Sequence, residues 1–288
     1  MFQSHKKNSL IILFVALFIF ILILFKIDYQ NSHRKLTFVV LDVGQGDALF
    51  IESPTGVQIL IDAGPSRKVL SELSKVMPSF DRSLDAIIMT HPDQDHIGGF
   101  SDVLKNYSVG SVFESGVSVD SNTYQNLKTE IESKKIPDFL ARKGTRLDLG
   151  GGAFLDILFP DRDVSSWETN EGSIVAKLSY GNNSIMLTGD APVKTEKIIL
   201  AENSVENLHS DILKLGHHGS RSSTSVEFLK AISPKYGLIS VGLNNRYGHP
   251  HQEILDLLKN FGVQIFRTDQ LGQIEIKCDK IEPCKINK

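Results

Sequence analysis

The chain has 288 residues, of which 41% are hydrophobic and 23% charged, and its formal net charge at pH 7 is −3. This composition is that of a globular protein and excludes a disordered or low-complexity chain, and the length suits one large α/β domain or two small ones. The first 35 residues hold five of the 31 basic and one of the 34 acidic residues, so the formal net charge of the remaining residues is −7. This acidic charge argues against a surface that binds nucleic acid non-specifically.

An apolar segment opens the chain. Leu10–Phe25 is a run of sixteen apolar residues between Lys7 and Lys26. From one lysine to the other, a helix would be roughly 30 Å long, which matches the hydrocarbon core of a bilayer. We predict a membrane anchor over residues 1–35, with a transmembrane helix at about residues 8–26 and the following domain outside the cytoplasm. The alternative is a cleaved signal peptide and a secreted protein, although no Ala-x-Ala-like cleavage pattern follows the run.

The remainder of the chain alternates between strand and helix patterns separated by turns rich in glycine and proline. Strands are predicted at residues 36–42, 48–53, 57–62, 84–90, 109–115, 154–159, 173–180, 184–188, 211–215, 236–241 and 264–267. Helices are predicted at residues 68–77, 97–106, 121–134, 195–202, 225–232 and 251–261. Hairpins mixed with strand–helix alternation favour an α/β fold in which two sheets pack face to face with helices outside. We predict one domain over residues 36–277 and a C-terminal tail over residues 278–288.

Both cysteines, Cys278 and Cys284, lie in the last eleven residues. Their spacing fits neither a zinc ribbon nor a CxxC redox pair. If the domain is exported, a disulfide that closes a small loop is favoured over two free thiols.

Six of the nine histidines form three pairs, and each pair follows a predicted strand. The pairs are His91 and His96, His217 and His218, and His249 and His251. Loops at one edge of a sheet converge, so we expect residues that are far apart in the sequence to meet in one site.

The first pair belongs to a run with potential ligands at His91, Asp93, Asp95 and His96. These positions share neither a helix face nor a strand face, but a tight loop can collect them around a cation. Imidazole and carboxylate together suit a divalent metal. The alternative, a polar turn that caps a helix, would explain a single histidine better than this packed set. The run therefore predicts a metal site.

Two further segments point to the same site. Asp190, in Thr188-Gly189-Asp190, ends an apolar strand, where its carboxylate is positioned to bridge two metals, although Gly-Asp is also a common turn. His217 and His218 lie between glycines directly after a strand, which is unusual for core histidines and natural for a ligand with a catalytic or supporting partner.

These motifs, in this order, resemble the metallo-β-lactamase superfamily, in the branch found as the extracytoplasmic domain of the DNA-uptake competence protein ComEC. The matching segments are HxDxDHxGG from residue 91, TGD from 188, LGHHGS from 215 and YGHPH from 247, with LDVGQGDA from 41 and LIDAG from 60. The resemblance covers nearly all of residues 36–277. It implies a four-layer αββα sandwich with one or two metals held between the sheets.

The resemblance also implies roles for single residues. His91 and Asp93 would serve a first metal site, Asp95 and His96 a second, and Asp190 would bridge them. His217, His218 or His249 would complete the second site, and the sequence does not indicate which of the three is the ligand. Catalytic roles fall to Asp95, His217 and His218. Supporting roles fall to Asp42, Asp47, Asp62, Asn170 and Ser220.

Two departures from the family pattern concern the first site. Asp93 stands where most members have histidine, and Asn170 and Glu171 stand where a third histidine of this site usually falls. Oxygen ligands favour a harder ion, so Mn²⁺ rivals Zn²⁺ as the cofactor.

Three functions are consistent with this site. The first is a phosphodiesterase or nuclease that uses metal-activated water, with DNA as a candidate substrate. The second is a hydrolase of small or cell-envelope phosphoesters, and the third is a domain in which the metal is only a structural brace. A basic rim at the mouth of the site would favour the nuclease, and Lys214, Arg221 and Arg246 lie beside the motifs.

Overall fold

The computed structural model describes residues 13–22 and 34–287. Residues 13–22 form a helix, α1, whose apolar side chains are exposed. Within the described ranges, no helix has the length and hydropathy needed to cross a bilayer. The predicted transmembrane helix at 8–26 extends beyond these ranges on both sides, so the membrane anchor stays a prediction.

Two large mixed sheets form the centre of the domain. The first sheet contains β1 Leu36–Val40, β2 Leu49–Glu52, β3 Gln58–Ile61, β5 Ala86–Met89, β7 Val112–Glu114, β8 Asp138–Leu140, β16 Ile274–Cys278 and β17 Lys285–Asn287, in the order β17-β16-β1-β2-β3-β5-β7-β8. The second contains β9 Arg146–Gly150, β10 Ala153–Phe159, β11 Val175–Tyr180, β12 Asn183–Leu187, β13 Ile212–Lys214, β14 Tyr236–Ile239 and β15 Gln264–Arg267, in the order β15-β14-β13-β12-β11-β10-β9. The short strands β4 Ser83–Leu84 and β6 Ser108–Val109 pair separately.

Helices cover the outer face of each sheet. Those on the first sheet include α2 Lys68–Val76, α4 Phe100–Asn106 and α5 Asn122–Ser133, and the one-turn helix α3 Gln94–Ile97 lies nearby. Those on the second include α6 Val193–Glu202, α7 Val205–Leu208, α8 Val226–Ile232 and α9 Gln252–Asn260. The one-turn helix α10 Thr268–Leu271 follows β15, and Asn170–Gly172 and Gly216–Gly219 form 3-10 turns.

Alternation along the strands produces the layers. In β1, Phe38 and Val40 belong to the core between the two sheets, whereas Val39 packs towards the helices of the first sheet. In β12, Ile185 points into the same central core and Met186 packs towards the helices of the second sheet. Both faces of each sheet are therefore buried at its central strands, as the near-continuous apolar sequences of these strands require. The predicted αββα arrangement of two mixed sheets is confirmed.

The sheet topology determines where a site can form. β3 and β5 are parallel neighbours in the first sheet, and β12, β13 and β14 are parallel neighbours in the second. The carboxyl ends of parallel strands lie at one edge of a sheet, and loops that follow such strands commonly form binding sites. The segments that carry the predicted metal ligands follow these strands, whereas the predicted supporting residues Asp42 and Asp47 follow β1 and Asn170 follows β10.

The C-terminal residues continue the first sheet. β17 lies inside the predicted tail of residues 278–288 and pairs with β16 in antiparallel register. A disulfide joins Cys278 to Cys284. Within the loop that it closes, the carbonyls of Asp279 and Glu282 accept hydrogen bonds from the Asn183 amide at 2.7 and 2.9 Å. The loop thus links the first sheet to β12 of the second.

We expect removal of this disulfide to destabilise the fold modestly. A cross-link that closes so short a loop restricts the unfolded chain by about 2 kcal/mol. Replacing both Cys278 and Cys284 by serine should lower the free energy of unfolding in urea by that amount. A reductant should have the same effect on the natural chain and none on the double variant. Equal urea midpoints for the oxidised and reduced chains would contradict this prediction.

Candidate metal centre

The first motif lies directly after β5 and forms a turn into α3. Asp93 is the N-cap of α3, so Asp95 and His96 lie on this one-turn helix, whereas the helix was predicted to begin at residue 97. Gly46 lies against the turn, where a Cβ atom would come within 2.1 Å of the Asp95 carbonyl oxygen. Close backbone approach therefore explains the glycine, and the Asp47 N–H donates to the same oxygen at 3.2 Å.

Donor atoms from three segments of the chain lie close to one another. Asp190 Oδ2 lies 3.4 Å from His96 Nε2 and 3.5 Å from His218 Nε2. His218 Nε2 also lies 3.4 Å from Asp95 Oδ2. These separations exceed the usual range for hydrogen bonds. Two ligands that each lie about 2.1 Å from a tetrahedral ion are about 3.4 Å apart, so the separations are those expected of ligands around a shared ion.

Buried atoms without partners mark the same region. In the described part of the chain, the ring and carboxylate atoms that are buried here without a hydrogen-bond partner include His91 Nε2, His96 Nε2, His218 Nε2 and Asp190 Oδ1. Such groups are costly to bury unless something binds them. Donor atoms of His91, His96 and Asp190 also lie within 4.8 Å of one another. Imidazole nitrogens and carboxylate oxygens in this density fit a divalent cation.

Hydrogen bonds behind the histidines turn their Nε2 atoms towards this group of donor atoms. His96 Nδ1 donates to Asp62 Oδ2 at 2.7 Å, and Thr90 Oγ1 donates to the same oxygen at 2.6 Å. Since this proton of Thr90 is committed, its hydroxyl oxygen accepts from His91 Nδ1 at 3.0 Å. The Ser240 carbonyl accepts from His218 Nδ1 at 3.0 Å. Asp62 thus fixes two imidazoles in the tautomer that leaves Nε2 free for a metal.

We expect Asp62→Asn to weaken metal binding without removing a ligand. Loss of an outer partner of this kind typically costs roughly 10- to 100-fold in metal affinity. Competition with a chromogenic chelator would measure the change. Asp85→Asn is a matched control. The Asp85 carboxylate accepts a hydrogen bond from the Gln58 N–H at 2.7 Å, but Asp85 lies before β5, whereas Asp62 follows β3. Equal metal affinities for the two variants would refute the role assigned to Asp62.

The two adjacent histidines point in different directions. His217 and His218 both have left-handed backbones, with φ of 49° and 54°. This conformation costs about 1–3 kcal/mol for a residue other than glycine and persists where the surrounding structure requires it. It buries the His218 ring while about a quarter of the His217 side chain (28%) stays exposed. Geometry therefore places His218, and not His217, in the group with Asp95 and His96.

Electrostatics favour a cation in this pocket. Burial by itself lowers the pKa of His218, but the carboxylates of Asp190 and Asp47 outweigh burial and raise this pKa to about 9. Burial also opposes the charged form of His96, yet Asp190 and Asp62 hold its pKa well above the usual value. Burial alone would raise the pKa of Asp190, but His218 and His96 hold it well below the usual range. The carboxylates thus outweigh burial and create a negative potential.

His217 and His249 lie next to each other beside the donor group. His217 Nε2 lies 3.8 Å from Asp190 Oδ2, and its Nδ1 lies 3.0 Å from Ser222 Oγ. Ser222 in turn contacts Ser220, with 3.0 Å between their hydroxyl oxygens. The His249 ring lies 5.3 Å from that of His217, and burial together with the neighbouring His217 and His218 lowers its pKa to about 4. Ser220 thus supports His217 through Ser222.

Three other residues proposed from the sequence have different surroundings. Asp47 is buried and ion-paired with Lys214, and its Oδ1 lies 3.3 Å from His218 Nδ1. Lys214 therefore lies inside the protein, and its expected place on a basic rim is wrong. Asp42 accepts from the Gly44 N–H at 3.3 Å and lies 3.1 Å from Lys68 Nζ, so its observed partners lie outside the donor group.

Sequence reasoning missed the cleft beside Asp95. The cleft has a volume of about 420 Å³ and is lined by Gln45, Pro65, Gln94, Asp95, Asn245, Arg246 and Tyr247. The Arg246 guanidinium lies 4.9 Å from the centre of the Tyr247 ring, and that ring stacks on His249. The aromatic residue directly before Gly248 was the available signal. The cleft gives the metal centre an open side.

Comparison with known proteins agrees with this geometry. The model of the metallo-beta-lactamase superfamily matches residues 41–242. ComE operon protein 3 of Bacillus subtilis is 35% identical over 83% of this chain and 32% of its own length. Recombination protein 2 of Haemophilus influenzae is 31% identical over 91% of this chain and 31% of its own length. The chain therefore spans about a third of the length of these relatives.

Solved structures share the fold at low sequence identity. The metallo hydrolase Igni18 of Ignicoccus hospitalis has a TM-score of 0.55 at 15% identity and covers 84% of this chain and 100% of its own. The diiron β-hydroxylase CmlA of Streptomyces venezuelae has a TM-score of 0.56 at 14% identity and covers 85% of this chain and 54% of its own. Taken with the family match and the donor group at the strand ends, these comparisons show that the chain belongs to the metallo-beta-lactamase superfamily.

Proposed function

We propose that the chain is a metal-dependent phosphodiesterase, and specifically a nuclease, that faces outward from a membrane anchor. One observation carries the proposal: Asp95, His96, His218 and Asp190 present donor atoms at the spacing of ligands around an ion. The cleft beside Asp95 leaves that group accessible to a substrate. A buried structural brace would not require such access.

The ligand assignments follow from which atoms are free. Asp95 Oδ2, His96 Nε2 and His218 Nε2 would hold one ion, and His91 and Asp93 would hold another. Asp190 would bridge the two, because its Oδ2 faces His96 and His218 while its Oδ1 is without a hydrogen-bond partner in the described ranges. When bound, one or two divalent ions, Zn²⁺ or Mn²⁺, supply a water nucleophile of lowered pKa and neutralise charge on the phosphoryl group.

His217 would act on the leaving group. Its Nε2 lies beside Asp190, and Ser222 holds its Nδ1. A histidine held next to the phosphoryl group can pass a proton to the departing oxygen. His249, whose ring lies against that of His217, lies on the same side of the donor group.

Two observations support a nucleic-acid substrate. The competence proteins ComE operon protein 3 and ComA are among the relatives. Arg246 and Tyr247 border the cleft beside Asp95, and an arginine with an aromatic ring is a common means of contacting phosphate and base. Since the domain is acidic overall, we expect weak binding that depends on a single strand reaching the cleft.

The membrane anchor and external location rest on the N-terminal and C-terminal residues. The apolar run Leu10–Phe25 has nearly the length of a bilayer core, and its described part, residues 13–22, is an exposed helix. A disulfide between Cys278 and Cys284 is typical of an oxidising compartment. Signal cleavage and secretion would place the domain in the same compartment.

The acidic charge of the domain favours a second candidate function, the hydrolysis of small or cell-envelope phosphoesters, which requires no basic groove. One assay separates the candidates. The full chain is stripped of metal in detergent, reloaded with Mn²⁺ or Zn²⁺, and given bis(p-nitrophenyl) phosphate and single-stranded DNA. Cleavage of both substrates supports the nuclease, and cleavage of the small ester alone supports the alternative. If neither is cleaved with any metal, the phosphodiesterase proposal fails.

A further inference from the structure

A buried amide oxygen in the segment before β11 lacks a hydrogen-bond partner. Asn170 begins the 3-10 turn Asn170–Gly172, and its Oδ1 is buried without such a partner among residues 13–22 and 34–287. Leaving a buried acceptor unsatisfied destabilises a protein. The oxygen is therefore expected to bind something other than the protein.

The segment around Asn170 is tied to the first-motif side of the metal centre. The Ile174 N–H donates to the carbonyl of Thr90, which precedes His91, at 2.9 Å. The Asp190 N–H donates to Ser173 Oγ at 3.3 Å, and the Thr169 side chain lies beside the Asp93 carboxylate. The residues on either side of the turn thus contact Thr90, Asp93 and Asp190, which lie in the segments that carry the proposed first site.

The neighbouring acidic residue has another role. Glu171 lies 2.6 Å from Lys194 Nζ, and its carbonyl accepts from Thr195 Oγ1 at 2.8 Å. These contacts hold Glu171 against α6. Of the two residues that replace the usual histidine of the family, only Asn170 has an uncommitted buried oxygen.

We propose that Asn170 Oδ1 completes a first metal site with His91 Nε2, Asp93 Oδ2 and Asp190 Oδ1. His91 Nε2 and Asp93 Oδ2 lie 3.6 Å apart, a separation close to that of two ligands on one ion. The site has one imidazole and three oxygens, whereas the second site has two of each. Oxygen ligands suit harder ions, so Asn170 biases the first site towards Mn²⁺ and away from Zn²⁺. This inference rests on the proposed metal centre but not on the proposed reaction.

Titration of metal-free full chain with Mn²⁺ tests the assignment, with the free ion followed by electron paramagnetic resonance. The natural chain is expected to bind two ions. Asn170→Ala should retain one of them unchanged and bind the other at least about tenfold more weakly. Asn170→Asp should restore the weakened site, because it supplies an oxygen in the same position. Glu171→Gln is the matched control and should bind both ions as the natural chain does.

Two results would overturn the assignment. One is unchanged binding of both ions by Asn170→Ala, and the other is binding of a single Mn²⁺ by the natural chain. Rescue by Asn170→Asp separates a ligand from a residue that only shapes the turn. Hydrolysis is not measured, so a chain that cleaves no phosphodiester still tests the ligand.

Discussion

Asp190→Ala should lose hydrolysis by at least about 100-fold, more than the loss of one outer hydrogen-bond partner usually costs. Asp190 is the residue shared by both halves of the centre, with its Oδ2 near His96 and His218 and its Oδ1 without a hydrogen-bond partner in the described part of the chain. Removing it takes one donor from each proposed site. Hydrolysis of bis(p-nitrophenyl) phosphate together with metal content measures both consequences.

The control for this variant is Asp120→Ala, which removes an exposed carboxylate. It should leave metal content and hydrolysis unchanged. Circular dichroism of Asp190→Ala should show the natural content of helix and strand, which separates loss of the site from loss of the fold. An Asp190→Ala protein that binds the natural amount of metal would contradict the bridging role.

Lys214→Met should lower the free energy of unfolding by about 3–5 kcal/mol. Lys214 and Asp47 are each about 1% exposed, and they form an ion pair behind His218. Burial alone would raise the pKa of Asp47, but Lys214 and His218 lower it to about 2, so its carboxylate is charged. Removing the lysine leaves that charge buried beside the metal centre without its partner. Urea unfolding measures the loss.

Two comparisons make this prediction specific. Lys235→Met removes an exposed lysine that lies 3.3 Å from Asp211 and should cost less than about 1 kcal/mol. The double variant Asp47→Asn with Lys214→Met should cost less than the sum of the single variants, because both partners of the pair are then gone. Additive losses would show that the two residues act independently.

Most buried strands were predictable from the sequence, but β16, which is buried at Ile274, Ile276 and Cys278, was not among the predicted strands. β1 and β12 are apolar on both faces and lie where the pattern placed them. β8 was missed because Asp138, Phe139 and Leu140 are all exposed, so no alternation marks the strand. β17 is only three residues long and is recognisable mainly by its pairing with β16.

Spacing along the chain predicted most of the metal centre. Strand ends bring the first motif, Asp190 and His218 together, as the sequence suggested. The choice among His217, His218 and His249 depends on the left-handed backbones at 217 and 218, which no local pattern reveals. Lys214 was misplaced because its charge suggested the surface, whereas its position on β13 directs it to the buried Asp47.

Anomalous diffraction from crystals soaked in Mn²⁺ or Zn²⁺ tests the central claim most directly, since it locates the ion rather than its effects. A peak is predicted about 2.0–2.2 Å from the donor atoms of Asp95, His96, His218 and Asp190. Absence of a peak at these atoms, with either metal at saturating concentration, would contradict a metal centre at the carboxyl ends of β5, β12 and β13.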